Sequence, residues 1–213
     1  MKIFLAVAVA LASVAGVRAQ TDVPAFETLV LIGRERLAAT TSLRARFVET
    51  TESALLLEPV VSSGTVVAVE PGRVVMTYAG HEPRRVIIDS EQLVIHWPAR
   101  GEIETLGIVE IQARVQRYFV EVPAAELRRS FDVEVARDPG APGTYLITMA
   151  PTRSQIREAV SELRIWFDRE TALMARLWLR FSNGDTRDFR FEDVQIDVPV
   201  DEGLFTVEAP DGP

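Results

Sequence analysis

The segment VVSSGTVVAVEPGRVVMTY, residues 60–78, contains two runs rich in β-branched residues that are separated by a Pro-Gly pair. Runs of this composition are typical of strands, and a Pro-Gly pair is typical of a tight turn. In the second run, alternation predicts that Val74, Met76 and Tyr78 share one face, while Arg73 lies on the other. The segment therefore predicts two antiparallel strands joined by a short turn.

Similar short runs, separated by turn residues, precede and follow this segment. Because loops this short cannot hold the long crossovers that parallel neighbours need, the runs predict antiparallel strands. Apolar residues at three- and four-residue spacing instead predict helix over 24–39 and over 108–130. The predicted strands cover residues 43–51, 60–70, 73–78, 85–89, 92–97, 102–106, 131–137, 144–150, 161–168, 173–181 and 186–194.

This order of elements predicts a mainly β (α+β) fold. About eleven antiparallel strands, paired in the order of the sequence, should curl into an open half β-barrel, because a long twisted sheet rarely stays flat. The two helical segments are expected to cover its concave face. A single domain over 20–213 is long enough for a sizeable core.

The first nineteen residues have the pattern of a secretory signal peptide. Lys2 is followed by an apolar run from 3 to 17, and Ala19 precedes an expected cleavage site near Gln20. The apolar run is too short for a stable membrane span, so we expect an exported periplasmic protein that is not integral to a membrane. The net charge of −8 is unfavourable for binding nucleic acid.

Several predicted strands are apolar on both faces. Trp166 alternates with Ile165 and Phe167, and Trp178 alternates with Leu177 and Leu179. A sheet with one solvated face would alternate more cleanly between apolar and polar residues. Both faces are therefore expected to be covered, one by core packing and the other by permanent helices or by a ligand.

The sequence contains little that supports catalysis. Cysteine is absent, and the two histidines are His81 in a predicted loop and His96 on a predicted strand. No zinc-type spacing, nucleophile elbow or phosphate-binding glycine loop is present. We predict a non-enzyme without cofactor or metal. A hydrolase dependent on His96 is the opposing hypothesis.

The chain resembles the periplasmic outer-membrane lipoprotein carriers, the LolA-like proteins. The resemblance spans most of the chain after the predicted signal peptide, with the motifs in the family's order. The segments that carry it are LRARFVE at 43–49, SGTVVAVEPGRVVMTY at 63–78, VIIDS at 86–90, LVIHWP at 93–98, FEDVQID at 191–197, LF at 204–205 and PDG at 210–212.

The resemblance implies a half-barrel whose apolar concavity holds the acyl chains of lipoproteins or related lipids beneath a helical lid. It also implies an inner-membrane transporter and an outer-membrane receptor as partners of a monomeric carrier. The family typically has arginine before the proline of the third strand, where it ties barrel to lid, and this sequence has Glu70 there. The predicted lipid contacts are Phe47, Val67, Val74, Met76, Tyr78, Ile88, Val94, His96, Ile111, Val115 and Phe119.

A second hypothesis remains open at this stage. The same half-barrel could serve as a binding module without a carrier role, such as an envelope sensor or an exporter-associated adaptor that grips a peptide or protein. A stable protein partner without bound lipid would favour that interpretation.

Overall fold

The computed structural model describes residues 23–69, 72–89, 92–107 and 123–206. Within them the chain forms eleven strands, three α-helices and one 3₁₀ helix, which follow one another along the chain. The elements are α1 (Phe26–Ala38), β1 (Ser42–Glu52), β2 (Val60–Val69), β3 (Arg73–Ala79), β4 (Arg84–Ile88), β5 (Gln92–Trp97), β6 (Glu102–Gly107), α2 (Ala124–Ser130), β7 (Phe131–Arg137), β8 (Thr144–Pro151), α3 (Ser154–Arg157), β9 (Val160–Asp168), β10 (Met174–Phe181), β11 (Thr186–Ile196) and the 3₁₀ helix (Glu202–Phe205).

The eleven predicted strands are confirmed, and their ends differ from the predicted ends by no more than two residues. Helix α1 begins two residues later than predicted because Ala25 has extended backbone angles, which leaves Pro24 ahead of the helix. The short helices at Ser154–Arg157 and Glu202–Phe205 were not predicted. The predicted signal peptide, Glu70 and the predicted helix through Ile111, Val115 and Phe119 lie outside the described residues.

All eleven strands form one antiparallel sheet, and the sheet is open. The strand order is β6-β5-β4-β3-β2-β1-β11-β10-β9-β8-β7, so β6 and β7 are its two edges. The predicted order, with each strand beside its sequence neighbour, holds within β1–β6 and within β7–β11. It is wrong at the centre, where the first strand pairs with the last from Leu43↔Ile196 to Glu52↔Thr186.

The register of the strands divides the side chains between two faces. One face carries Phe47, Met76 and Ile147, and because α1 and α2 pack on it over the β7–β10 half, we call it the helix-covered face. Its two apolar clusters share Phe189, which makes the packing continuous from β4 to β7. The other side is named the opposite face.

On the opposite face, β2–β5 are covered by the chain that follows β11. Val200, Leu204 and Phe205 pack on a cluster formed by Val67, Val75, Ile87 and their neighbours. An exposed ion pair joins this segment to β3, since the guanidinium of Arg73 donates to both carboxylate oxygens of Glu202 at 2.7 and 3.2 Å. The same guanidinium lies 4.7 Å from the centre of the Phe205 ring.

Arginines cover the tryptophans of the opposite face. Arg176 lies 4.2 Å from the centre of the Trp166 ring and donates to both oxygens of Asp188. Arg164 and Arg180 flank Trp178 at 4.7 and 5.1 Å. Apolar residues therefore occur on both faces because the C-terminal segment covers one part of the opposite face and arginine side chains cover another.

Candidate functional site

The structure divides the predicted lipid contacts between the two faces of the sheet. Five of them lie on the helix-covered face, namely Phe47, Val74, Met76, Tyr78 and Ile88. Three lie on the opposite face, namely Val67, Val94 and His96. Glu70, Ile111, Val115 and Phe119 lie outside the described residues.

The expectation that Val67, Val94 and His96 belong to the same surface as Phe47 is corrected by the register. Val67 is paired with Val75 and Val94 with Ile87, and Val67, Val75 and Val94 pack beneath the C-terminal segment. His96 shares that face, and its Nδ1 is buried without a hydrogen-bond partner in the described part of the chain. The sequence showed that both faces are apolar but not which residues share a face across strands.

Phe47 is the centre of the β1–β4 half of the helix-covered face. Its ring packs edge-on against Tyr78 with the ring centres 4.9 Å apart, and a tilted contact at 6.4 Å joins it to Phe189. Gly64 lies opposite Phe47 in the sheet and leaves room for the aromatic ring. This arrangement fixes an apolar surface across the first and last strands of the chain.

A buried carboxylate lies where this apolar surface ends. Glu49 is two residues beyond Phe47 and has 3% of its surface exposed, although it is ionisable. The guanidinium of Arg84 is 3.9 Å from one carboxylate oxygen and that of Arg187 is 3.7 Å from the other. The first of these oxygens, Oε2, accepts no hydrogen bond from the described residues. The helix-covered face thus changes from apolar to polar at this end of the sheet.

Tyr78 connects the apolar and polar parts of this face. Its ring packs on Phe47 on one side, while the Arg84 guanidinium lies 3.7 Å from the ring centre. Burial raises the pKa of the Tyr78 hydroxyl well above its usual value, and the charge of Glu49 raises it further, whereas Arg84 lowers it. The neutral phenol is therefore the stable form in the folded protein.

The raised pKa predicts that Tyr78 stays protonated near pH 10, where a free tyrosine ionises. Unfolded Tyr78 would lose its proton there while folded Tyr78 keeps it, so its contribution to stability is complete below about pH 10 and is lost as the pH rises further. Ultraviolet titration of the wild type and of Tyr78→Phe measures the ionisation of Tyr78 as the difference between the two absorbance curves. The Tyr78 signal should appear only as the protein unfolds, and a Tyr78 step near pH 10 in the folded protein would contradict the burial.

The structure also contains an open groove that sequence reasoning missed. It lies between α1 and one end of the sheet, at the start of β8 and the end of β9, which is the end opposite the β1–β2 loop. Its volume of about 380 Å³ is within the range of small-molecule sites. No local pattern marks it, because its walls come from three separate parts of the chain. Its lining residues are Pro24, Leu29, Ile32, Tyr145, Phe167, Arg169, Glu170 and Ala172.

Helix α1, which forms one wall of the groove, packs on the sheet through apolar side chains. Phe26 and Leu29 are its buried residues. At the surface, the Arg128 guanidinium of α2 pairs with Glu27 and lies 5.4 Å from the centre of the Phe26 ring. Because exposed ion pairs contribute little to stability, Phe26, Leu29 and the partly buried Val30 of the same cluster dominate this docking over the Arg128–Glu27 pair.

The described residues offer few groups for other kinds of site. No three histidine or acidic side chains among them are close enough to hold a metal ion. None of their helices is long and apolar enough to cross a membrane. The features that could bind a ligand in this part of the chain are the apolar face with its polar end and the groove beside α1.

Comparison with known proteins relates this fold to a family. The family described as outer membrane lipoprotein carrier protein LolA matches residues 38–208. No curated protein sequence matches the chain.

Among solved structures, an uncharacterized conserved protein from Thermus thermophilus gives a TM-score of 0.55 at 7% identity, over 87% of this chain and 94% of that one. MucB gives a TM-score of 0.51 at 12% identity, over 85% of this chain and 62% of that one. A DUF1329 family protein from Desulfovibrio piger gives 0.50 at 8% identity, over 84% and 95%. At these identities the likeness concerns the fold alone.

Proposed function

Because this chain belongs to the family of the outer membrane lipoprotein carrier protein LolA, we propose that it is a non-catalytic periplasmic carrier of acyl chains. The cargo is an acylated lipoprotein or a related lipid, received from an inner-membrane transporter and passed to an outer-membrane receptor. The observation that carries the proposal is the continuous apolar face, one half of which lies beneath helix α1.

The energetics of α1 favour a displaceable cover. Undocking α1 exposes the buried Phe26 and Leu29, which costs about 1.5–3 kcal/mol for each side chain, and the partly buried Val30, which adds a smaller cost. A saturated chain of ~16 carbons loses on the order of 12 kcal/mol when it leaves a membrane, at ~0.8 kcal/mol per CH2. Relative to a chain in water, burial beneath α1 therefore recovers more free energy than uncovering these side chains of the helix consumes.

We assign the groove beside α1 as the entry to this face. Leu29 and Phe167 are both groove-lining residues and members of the apolar cluster on the helix-covered face. A chain that enters the groove can thus move between α1 and the sheet without crossing water. Phe47, Val74, Met76, Tyr78 and Ile88 remain the proposed contacts in the other half of the face. All but Val74 are buried, so an acyl chain reaches them only when this half of the face opens.

Handover between membranes requires that the cargo is not held too tightly. A dry apolar cavity replaces most of the interactions that the membrane supplies, so the net free energy of transfer can be close to zero. A polar end at Glu49, Arg84 and Arg187 sets a boundary to the apolar surface available to the chain. Carriage then depends on reversible covering of the face and needs no covalent step.

Two neighbouring residues of α1 provide a matched test of the groove. Ile32 and Leu31 are 40% and 56% exposed, so aspartate at either position should leave the fold intact. Only Ile32 lines the groove. We expect Ile32→Asp to weaken binding of a fluorescent fatty-acid analogue at least tenfold, because it places a charge beside the apolar chain, while Leu31→Asp should bind like the wild type.

The measurement is a fluorescence titration of each purified protein with the analogue. Equal affinities for the two variants would remove the groove from the proposal. If the wild type fails to bind the analogue even at saturation, the carrier function itself is wrong. A stable protein partner recovered without lipid would then favour the binding-module hypothesis.

A further inference from the structure

The loop between β1 and β2 exposes an unusual amount of apolar surface. Three successive leucines occupy its tip: Leu55 is 94% exposed, Leu57 is 104% exposed and Leu56 is 39% exposed. At the start of β2, Val60 and Val61 are 48% and 65% exposed. We call these five residues the leucine tip. Soluble proteins rarely leave such contiguous apolar surface in water unless it binds something.

The leucine tip is held away from the sheet by its own loop. Pairing of β1 with β2 continues to Thr51↔Val60, which supports the base of the loop. The turn above it is closed by hydrogen bonds from the Leu56 amide to the Ser53 carbonyl at 3.0 Å and from the Leu55 amide to the Ser53 hydroxyl at 3.2 Å. The exposed leucines are therefore a feature of a defined turn.

The directions of the side chains favour a surrounding apolar medium over a flat partner. Leu55, Leu56 and Leu57 are consecutive, so their side chains project in different directions, and all three reach solvent. A protein groove would cover one side of such a loop. The hydrocarbon region of a bilayer covers all sides at once.

The charge around the tip is consistent with insertion driven by apolar contacts. The sequence contains no lysine or arginine between Arg46 and Arg73, and the charged residues nearest the leucines are Glu52 and Glu58. Attraction to anionic head groups therefore cannot come from this loop. A partner of this loop must offer an apolar interior for the leucines and must not repel the carboxylates of Glu52 and Glu58 at its surface. A bilayer of zwitterionic lipids meets both conditions.

The position of the tip relates it to the helix-covered face. β1 runs from Phe47 through Glu49 to Glu52, where it is paired with Thr186. Hence the leucine tip extends from the same end of the sheet as the polar cluster of Glu49, Arg84 and Arg187. Contact of the tip with a bilayer brings this end of the face to the lipid surface.

We propose that the leucine tip inserts into the lipid bilayer and docks the protein on a membrane. The inference goes beyond the proposed carrier function and stands on separate residues: it places the protein on a membrane through the end of the sheet opposite the groove. Insertion removes the leucine side chains from water and needs no conformational change in the sheet.

The test uses protein purified from the periplasm after export, so that the predicted signal peptide has been removed. Flotation with phosphatidylcholine vesicles measures binding of the wild type, the double variant Leu55→Ser/Leu57→Ser and the control Leu31→Ser. Leu31 is a 56% exposed leucine on α1, so the control makes the same substitution away from the tip. We expect the double variant to lose about tenfold in vesicle affinity for each leucine removed, and the control to bind like the wild type.

Added phosphatidylglycerol should not strengthen binding, because the tip lacks cations. The proposal is overturned if the wild type does not bind either vesicle, if the double variant binds as well as the wild type, or if the tip mediates a protein complex and no lipid binding. Fatty-acid analogue binding without vesicles separates the two proposals. The double variant should retain it, whereas vesicle binding by a protein that never takes up the analogue would support the tip and contradict the carrier.

Discussion

Gly64→Ala is expected to lower the free energy of unfolding by at least about 3 kcal/mol, or to prevent folding. A Cβ at this position would lie 2.1 Å from the carbonyl oxygen of Thr77 and 2.9 Å from two ring atoms of Phe47. The oxygen belongs to the backbone of the neighbouring strand, so relief requires the β2–β3 pairing to separate. The ring above it is itself fully buried and cannot turn away.

Chemical denaturation of the wild type and the variant measures this effect. Gly143→Ala is the matched control, because a Cβ at Gly143 would have no atom within 4 Å apart from those of its chain neighbours. That variant should change stability by less than about 0.5 kcal/mol. Similar stabilities for the two alanine variants would mean that the Phe47 ring and the Thr77 carbonyl do not lie as close to Gly64 as the structure shows.

Phe47→Ala is expected to cost about 3–5 kcal/mol of stability. Phe47 is 1% exposed and contacts both Tyr78 and Phe189, so its removal leaves a cavity between the first and last strands. That cavity cannot collapse easily, because the surrounding positions are fixed by pairing on both sides of β1. The loss should therefore lie in the upper part of the range for buried aromatic residues.

The neighbouring Phe191 provides the control for Phe47. It is paired directly with Phe47 across the β1–β11 junction but is only partly buried. Thermal and urea unfolding of Phe191→Ala should show a smaller loss than Phe47→Ala. A double-mutant cycle between Phe47 and Tyr78 should give a coupling of about 0.5–1.5 kcal/mol, and no coupling would contradict their edge-on contact.

The strands were predictable because the evidence for them is local. Alternation within 73–78 correctly separated Val74, Met76 and Tyr78 from Arg73, since a strand reverses its side chains at every residue. The turn residues between the apolar runs then marked where each strand ends. The family was also accessible from sequence, because its motifs keep their order along the chain.

The same local evidence could not place the sheet's centre. Pairing of β1 with β11 joins residues about 140 positions apart, such as Phe47 and Phe191, and no short-range pattern records that choice. This pairing also brings Arg187 to Glu49 and leaves β6 and β7 as open edges. The predicted lipid contacts were mixed between faces for a related reason, because alternation orders the residues of one strand but does not relate one strand to the next.

By itself, the sequence determined the number, approximate bounds and antiparallel character of the strands, and the order of its motifs indicated the family. Only the tertiary structure decided that the first and last strands pair at the middle of the sheet, that the segment after β11 covers Val67 and Val94, and that α1 borders a groove. The physical reason is the range of the interactions. Hydrophobic periodicity and turn chemistry act over a few residues, whereas the choice of which apolar surfaces cover one another depends on the packing of the whole chain.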